Sequence, residues 1–102
     1  MKLEKVIKSD AKGKKWTAVF CMCKGQSTCC TNDKKRVHFG AKGYTDYTIG
    51  ATKEQRQNYR ARHLTGKRAK PDTPNALSYH ILWGDSTSMQ KNIKDFKEKY
   101  NV

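Results

Sequence analysis

Residues 15–23, Lys-Trp-Thr-Ala-Val-Phe-Cys-Met-Cys, constrain this chain more than any other stretch. Aromatic, β-branched and thiol side chains follow one another there without a helical period, as strands do. Trp16, Ala18, Phe20 and Met22 fall on one face, and Thr17, Val19, Cys21 and Cys23 on the other. Both faces are partly apolar, so this strand is expected at the centre of a sheet. Its neighbours are plainer. Residues 3–9 alternate imperfectly and suit a short edge strand, residues 10–13 a turn, and residues 36–39 a further strand ending at Gly40. Residues 28–31 are expected to form a short strand between turns at 24–27 and 32–35. The first half therefore reads as a small antiparallel meander.

The period then changes from two to 3.6. Thr52, followed three residues on by Gln55, fits a capping box. The helix it opens is expected to run to about Leu64, with Gly66 suited to stop it. Thr73-Pro74 opens a second helix, with Pro at the first helical position, ending at Gly84. Thr87 with Gln90 opens a third. Its Met89, Ile93, Phe96 and Tyr100 form an apolar stripe expected to cover the sheet, joined by Leu77 and Ile81, with Trp83 at the corner. The expected fold class is α+β, a short antiparallel β-meander followed by three α-helices packed on it. Residues 1–102 form one small basic domain, mainly β over 1–50 and mainly α over 51–102. With 35% hydrophobic residues its core is modest.

Charge divides the chain differently. Residues 1–70 hold 18 of the 22 Lys and Arg against five acidic residues, while residues 71–102 carry four of each sign. The first part is expected to meet something anionic, and the last third to be a packing element. No apolar run approaches the roughly 20 residues of a membrane span, and MKLEKVIKSD has no apolar core of a secretory leader. A cytosolic setting is expected.

The cysteines form C-x-C-x5-C-C at 21, 23, 29 and 30. Zinc knuckles use C-x2–4-C pairs, and adjacent Cys29 and Cys30 on a strand would point apart. His38 would join a metal only if the hairpin folded back. No metal or cofactor is expected. The thiols read best as small apolar residues; a Cys21–Cys30 disulfide is conceivable but disfavoured in a reducing compartment.

Residues 37–63 are densest in chemistry. Gly40 and Gly43 bracket Ala41-Lys42, and such a loop can offer backbone N–H groups to a phosphate. Turns needing positive φ give the same spacing and are the stronger reading. Tyr44 and Tyr47 are residues that stack on bases in single-strand binders; capping of the core, with Asp46 bonded to backbone or Arg, is preferred. The helix carries Arg56 and Arg60 on one face and Tyr59 and His63 on a second, inward one. Residues 53–70 hold seven cations and one acid. The expected basic face is Arg56, Arg60, Arg62, Lys67, Arg68 and Lys70, extended by Lys34, Lys35, Arg36 and Lys42. Reversing Arg56 and Arg60 to Glu is expected to abolish partner binding and leave the fold intact.

The run VHFGAKGYTDYT, E-x-R-x-x-Y-x-x-R-H over 54–63, Ala76-Leu77-Ser78 with Ile81-Leu82-Trp83, and Ile93-Lys94-Asp95-Phe96 together resemble a family of small basic proteins. These uncharacterised proteins are encoded by nucleocytoplasmic large DNA viruses of algae and protists, with relatives in algal genomes. The resemblance spans about residues 14–100. The Cys-rich 21–30 segment and the basic linker LTGKRAKPDT depart from the family's pattern. The resemblance implies a viral origin and carries no catalytic residues.

A non-enzymatic virion protein is the leading expectation: a minor capsid (cement) protein, assembled in the host cytoplasm and bound to major and other minor capsid proteins. Nucleic acid and the inner viral membrane surface are further candidate partners. The alternative is a genome-associated protein that binds nucleic acid without sequence preference, since no helix-turn-helix, zinc finger or RNP signature is present. An enzyme assembled from His38, His63 and His80 with Asp46, Asp72 and Glu54 has no supporting spacing.

Overall fold

A computed structural model of the protein describes residues 1–22 and 34–102. Strand β2 (Lys14–Cys21) lies in the middle of a three-stranded antiparallel sheet, between β1 (Lys2–Lys8) and β3 (Lys34–Ala41). Its two-sided apolar character has the expected outcome. The register sets Leu3 beside Phe20, Val6 and Val37 beside Ala18, and Phe39 beside Trp16. Leu3, Ala18, Phe20, Val37 and Phe39 thereby share the face that enters the core with Leu77, Ile81, Leu82, Trp83 and Phe96. The register slips between Leu3 and Lys5, a bulge in the edge strand. The expected strand at 28–31 and the turn at 24–27 lie outside the described residues.

A 3-10 turn at Tyr47–Ile49 follows the sheet. Asp46 caps it, accepting from the Thr48 N–H at 2.8 Å, and Lys15 Nζ donates to the same carboxylate at 2.8 Å. A carboxylate only 2% exposed is thus fully partnered. Helix α1 (Lys53–Arg62) opens with both hydrogen bonds of the Thr52–Gln55 capping box and ends at His63.

Gly66 does not stop α1. It is buried inside a further short helix, α2 (Thr65–Arg68), where the linker was expected. A Cβ there would stand 2.8 Å from the Asn75 carbonyl oxygen and 2.8 Å from Tyr79 Cβ. The glycine is needed for close approach rather than for termination.

Helix α3 (Pro74–Leu77) has Pro in its first turn and Thr73 as its cap. It continues as a π-helical turn, Ser78–Leu82, in which the Trp83 N–H reaches back to the Ser78 carbonyl at 3.1 Å. The uniform second helix expected up to Gly84 is corrected accordingly. Helix α4 (Met89–Tyr100) is capped by Ser88, which accepts from the Lys91 N–H, and not by Thr87. Its stripe faces inward but packs chiefly on the π-helical turn, while α3 and that turn make the main contact with β3. No helix among the described residues is long and apolar enough to cross a membrane.

Candidate functional site

Helix α1 buries none of its residues. Side-chain heads hold it instead. Arg56 donates from Nε to the Gly84 carbonyl at 2.7 Å and from Nη2 to Asp85 at 2.6 Å. Arg60 donates from Nη1 to the Trp83 carbonyl at 2.8 Å and lies 4.2 Å over the Tyr79 ring. These carbonyls lie just past the π-helical turn, at a helix end that leaves acceptors unsatisfied, and two guanidinium groups complete them. Between the arginines Tyr59 is stacked on both faces, on Trp83 at 4.4 Å and His63 at 4.2 Å. Burial pushes the Tyr59 hydroxyl above its usual pKa, opposed by a hydrogen bond with Ser78.

Arg56 and Arg60 therefore point into the molecule, not outward as expected. Positions 56, 59, 60 and 63 follow the i, i+3, i+4, i+7 rule for one helix face. That face includes the helix's only aromatic ring, and this was the signal available in the sequence.

The other expected cations divide. Lys35 pairs with Asp72 at 2.8 Å and ties β3 to the segment before α3; this hydrogen bond holds the Asp72 carboxyl below its usual range. Lys34 meets Glu4 of the edge strand at 3.2 Å. Arg36, Lys42, Arg62, Lys67, Arg68 and Lys70 are exposed and have no ion-pair partner among the described residues. The register adds a cation the sequence reading passed over: Lys5 and Arg36 flank Val19 from the two sides of β2.

A cleft of about 730 Å³ opens between the turn after β3, α1 and the π-helical turn. Lys14, Lys15, Tyr44, Asp46, Asn58, Arg62, His63, Asn75, Ser78 and Trp83 are among its lining residues. Tyr44 is 74% exposed and caps no core, whereas Tyr47 is partly buried against it. Gly43, with φ of 88°, sits in the turn as expected, but Gly40, with φ of 79°, lies inside β3, where a Cβ would stand 2.9 Å from Leu82 Cδ1. A smaller cavity of about 290 Å³ is lined by Arg60, Lys67, His80, Asp95 and Lys99. Burial there, with Lys99 and Arg60 nearby, lowers the His80 pKa, although its Nε2–H donates to the Lys67 carbonyl at 3.2 Å.

The three histidines are not brought together. His38 Nδ1 lies 2.7 Å from Thr17 Oγ1 and 3.0 Å from Ser9 Oγ on the sheet, His63 lines the cleft, and His80 lines the second cavity. Among the described residues no three His, Cys, Asp or Glu side chains are grouped to hold a metal. Cys21, buried at the end of β2, is disulfide-bonded, which corrects the expected unligated thiol. Cys23, Cys29 and Cys30 lie outside the described residues.

Residues 4–63 match the model of a protein family described as "Family of unknown function (DUF5754)". No curated protein and no solved structure matches the chain. The matched stretch runs from β1 through α1 to His63, over half of the chain, and the chain belongs to that family.

Proposed function

We propose that this member of a family of unknown function is a non-enzymatic structural protein of a large-DNA-virus particle. It acts as a minor capsid, or cement, protein that holds acidic capsid or membrane surfaces. The observation that carries this reading is where several exposed cations with no ion-pair partner among the described residues sit. Lys5 and Arg36 lie on the sheet, Lys42 in the turn after β3, Arg62 at the end of α1, and Lys67, Arg68 and Lys70 in and after α2. A protein that reads nucleic acid through one element gathers its cations on that element. A protein that joins several neighbours needs charged contacts on several faces of one rigid body. Each exposed contact is weak and screened by salt, so attachment depends on many acting together. The resemblance over residues 14–100 supports the viral setting.

Mass spectrometry of purified particles, split into capsid and core fractions, tests the proposal. Recovery with the shell supports it, and absence from particles overturns it. Recovery with the genome replaces it with binding of nucleic acid without sequence preference. The residues to reverse are Lys67, Arg68 and Lys70. Changed together to Glu, they should weaken attachment to purified capsid protein and leave the melting temperature within a few degrees of wild type.

A further inference from the structure

We propose that the cleft between the turn after β3 and α1 binds a nucleoside phosphate unit, either a free nucleotide or one residue of a single strand. The inference goes beyond the capsid reading and does not rest on it. The volume of about 730 Å³ lies within the range that small-molecule sites occupy, about 300–1,000 Å³.

Three features define the ligand. The first is flat ring surface on two sides. Trp83, Tyr59 and His63 form a near-parallel pile, with interplanar angles of 10° and 23°, and His63 is its exposed end. Both faces of Tyr59 are occupied, so a base adds to the pile on His63. Tyr44, with its ring exposed, lines the same cleft from the turn. Stacking of this kind accepts any base.

The second feature is charge. Lys14, Lys15 and Arg62 meet one carboxylate in the cleft, Asp46, which Lys15 already neutralises at 2.8 Å. Lys14 and Arg62 have no ion-pair partner among the described residues and are left for an anion. The third feature is a mixed donor and acceptor edge. The Asn58 amide makes no hydrogen bond among the described residues, and Asn75 commits only its Nδ2, to Thr65 at 3.2 Å. Amides that both give and take suit the edge of a base, whereas a bare phosphate would need donors alone.

Ser78 and Leu82, the two ends of the π-helical turn, line this same cleft. Single π turns inside helices are rare and concentrate at functional sites. This irregularity is independent of the side-chain chemistry and points to the same place.

The experiment titrates the whole chain with adenosine monophosphate and, separately, with a thymidine oligonucleotide of about ten residues, using inorganic phosphate as competitor. Tyr44→Ala should weaken binding about 5- to 150-fold, the range for loss of one stacking ring. Arg62→Gln should weaken it and flatten its salt dependence. Lys5→Ala with Arg36→Ala, away from the cleft, should leave mononucleotide affinity unchanged. The ring protons of His63 should shift in the NMR spectrum with the nucleotide and not with phosphate alone. Binding of the mononucleotide identifies a free ligand, and binding of the oligonucleotide alone identifies a strand. The proposal is overturned if neither probe binds, if equimolar phosphate displaces both, or if Tyr44→Ala changes nothing. Tyr44 and Arg62 are both exposed, so an unchanged melting temperature separates lost binding from lost fold. Capsid attachment should be indifferent to Tyr44→Ala, so the two proposals fail separately.

Discussion

Helices α1 and α4 are attached to one body by opposite chemistry. Helix α4 buries Phe96 and Asn92 and lays Met89, Ile93 and Tyr100 against the core. Helix α1 fully buries no residue, sets Tyr59 partly buried against the core, and is held by two guanidinium forks and a stack of rings. Apolar contact is non-directional and grows with area. Hydrogen bonds from arginine are directional and need acceptors left open, which the end of the π-helical turn supplies. The difference teaches that α1 is placed accurately but can be detached cheaply, whereas α4 cannot leave without opening the core.

The largest expected effect breaks the α4 side of this contrast. Phe96→Ala should cost about 3–5 kcal/mol in a denaturant titration, because its ring is 1% exposed. Asn92→Ala should follow at about 2–4 kcal/mol. Its amide donates to the Ile81 and Ser86 carbonyls at 2.9 and 2.7 Å and accepts from the Ser86 N–H at 3.0 Å, and buried groups so orphaned cost about 1–3 kcal/mol each. On the α1 side, Arg60→Ala should cost about 1.5–3 kcal/mol. Hydrogen exchange should show protection lost over residues 53–62 and kept in α4; equal loss in both helices would erase the contrast.

Acid should act where His80 meets α4, with its added charge also facing Arg60 of α1. His80 packs edge-on to Tyr100 and near Phe96. Its folded-state pKa lies below 6.5, so the unfolded chain takes up the proton first and stability falls as pH drops below 6.5. His80→Gln should flatten the melting temperature over that window. The smallest effect is Lys35→Ala, under about 1 kcal/mol for a half-exposed pair, with the Asp72 carboxyl returning toward its usual range in an NMR titration.

Much of the scaffold was legible in the sequence because its causes are local. The central strand follows from two apolar faces, the start of α1 from Thr52 and Gln55, and the start of α3 from Thr73 and Pro74. The rest has its causes far along the chain. Arg56 turns inward because an acceptor lies 28 residues on, at Gly84. Gly66 looks like a helix stop until Tyr79 and Asn75 are packed against it. The π-helical turn has no composition of its own. The cleft escaped notice because it joins Tyr44, Arg62 and Asn75 from three separate elements, which no spacing rule connects.

The ring pile has one further consequence. The protein has two tryptophans, Trp16 in the sheet and Trp83 stacked 4.4 Å from Tyr59 of α1. The near-ultraviolet circular dichroism of the molecule should therefore carry a contribution from coupled Trp83 and Tyr59 chromophores. That contribution reports whether α1 is seated, with no label attached. Trp16→Phe removes the other indole and leaves a chain whose remaining tryptophan watches one helix dock.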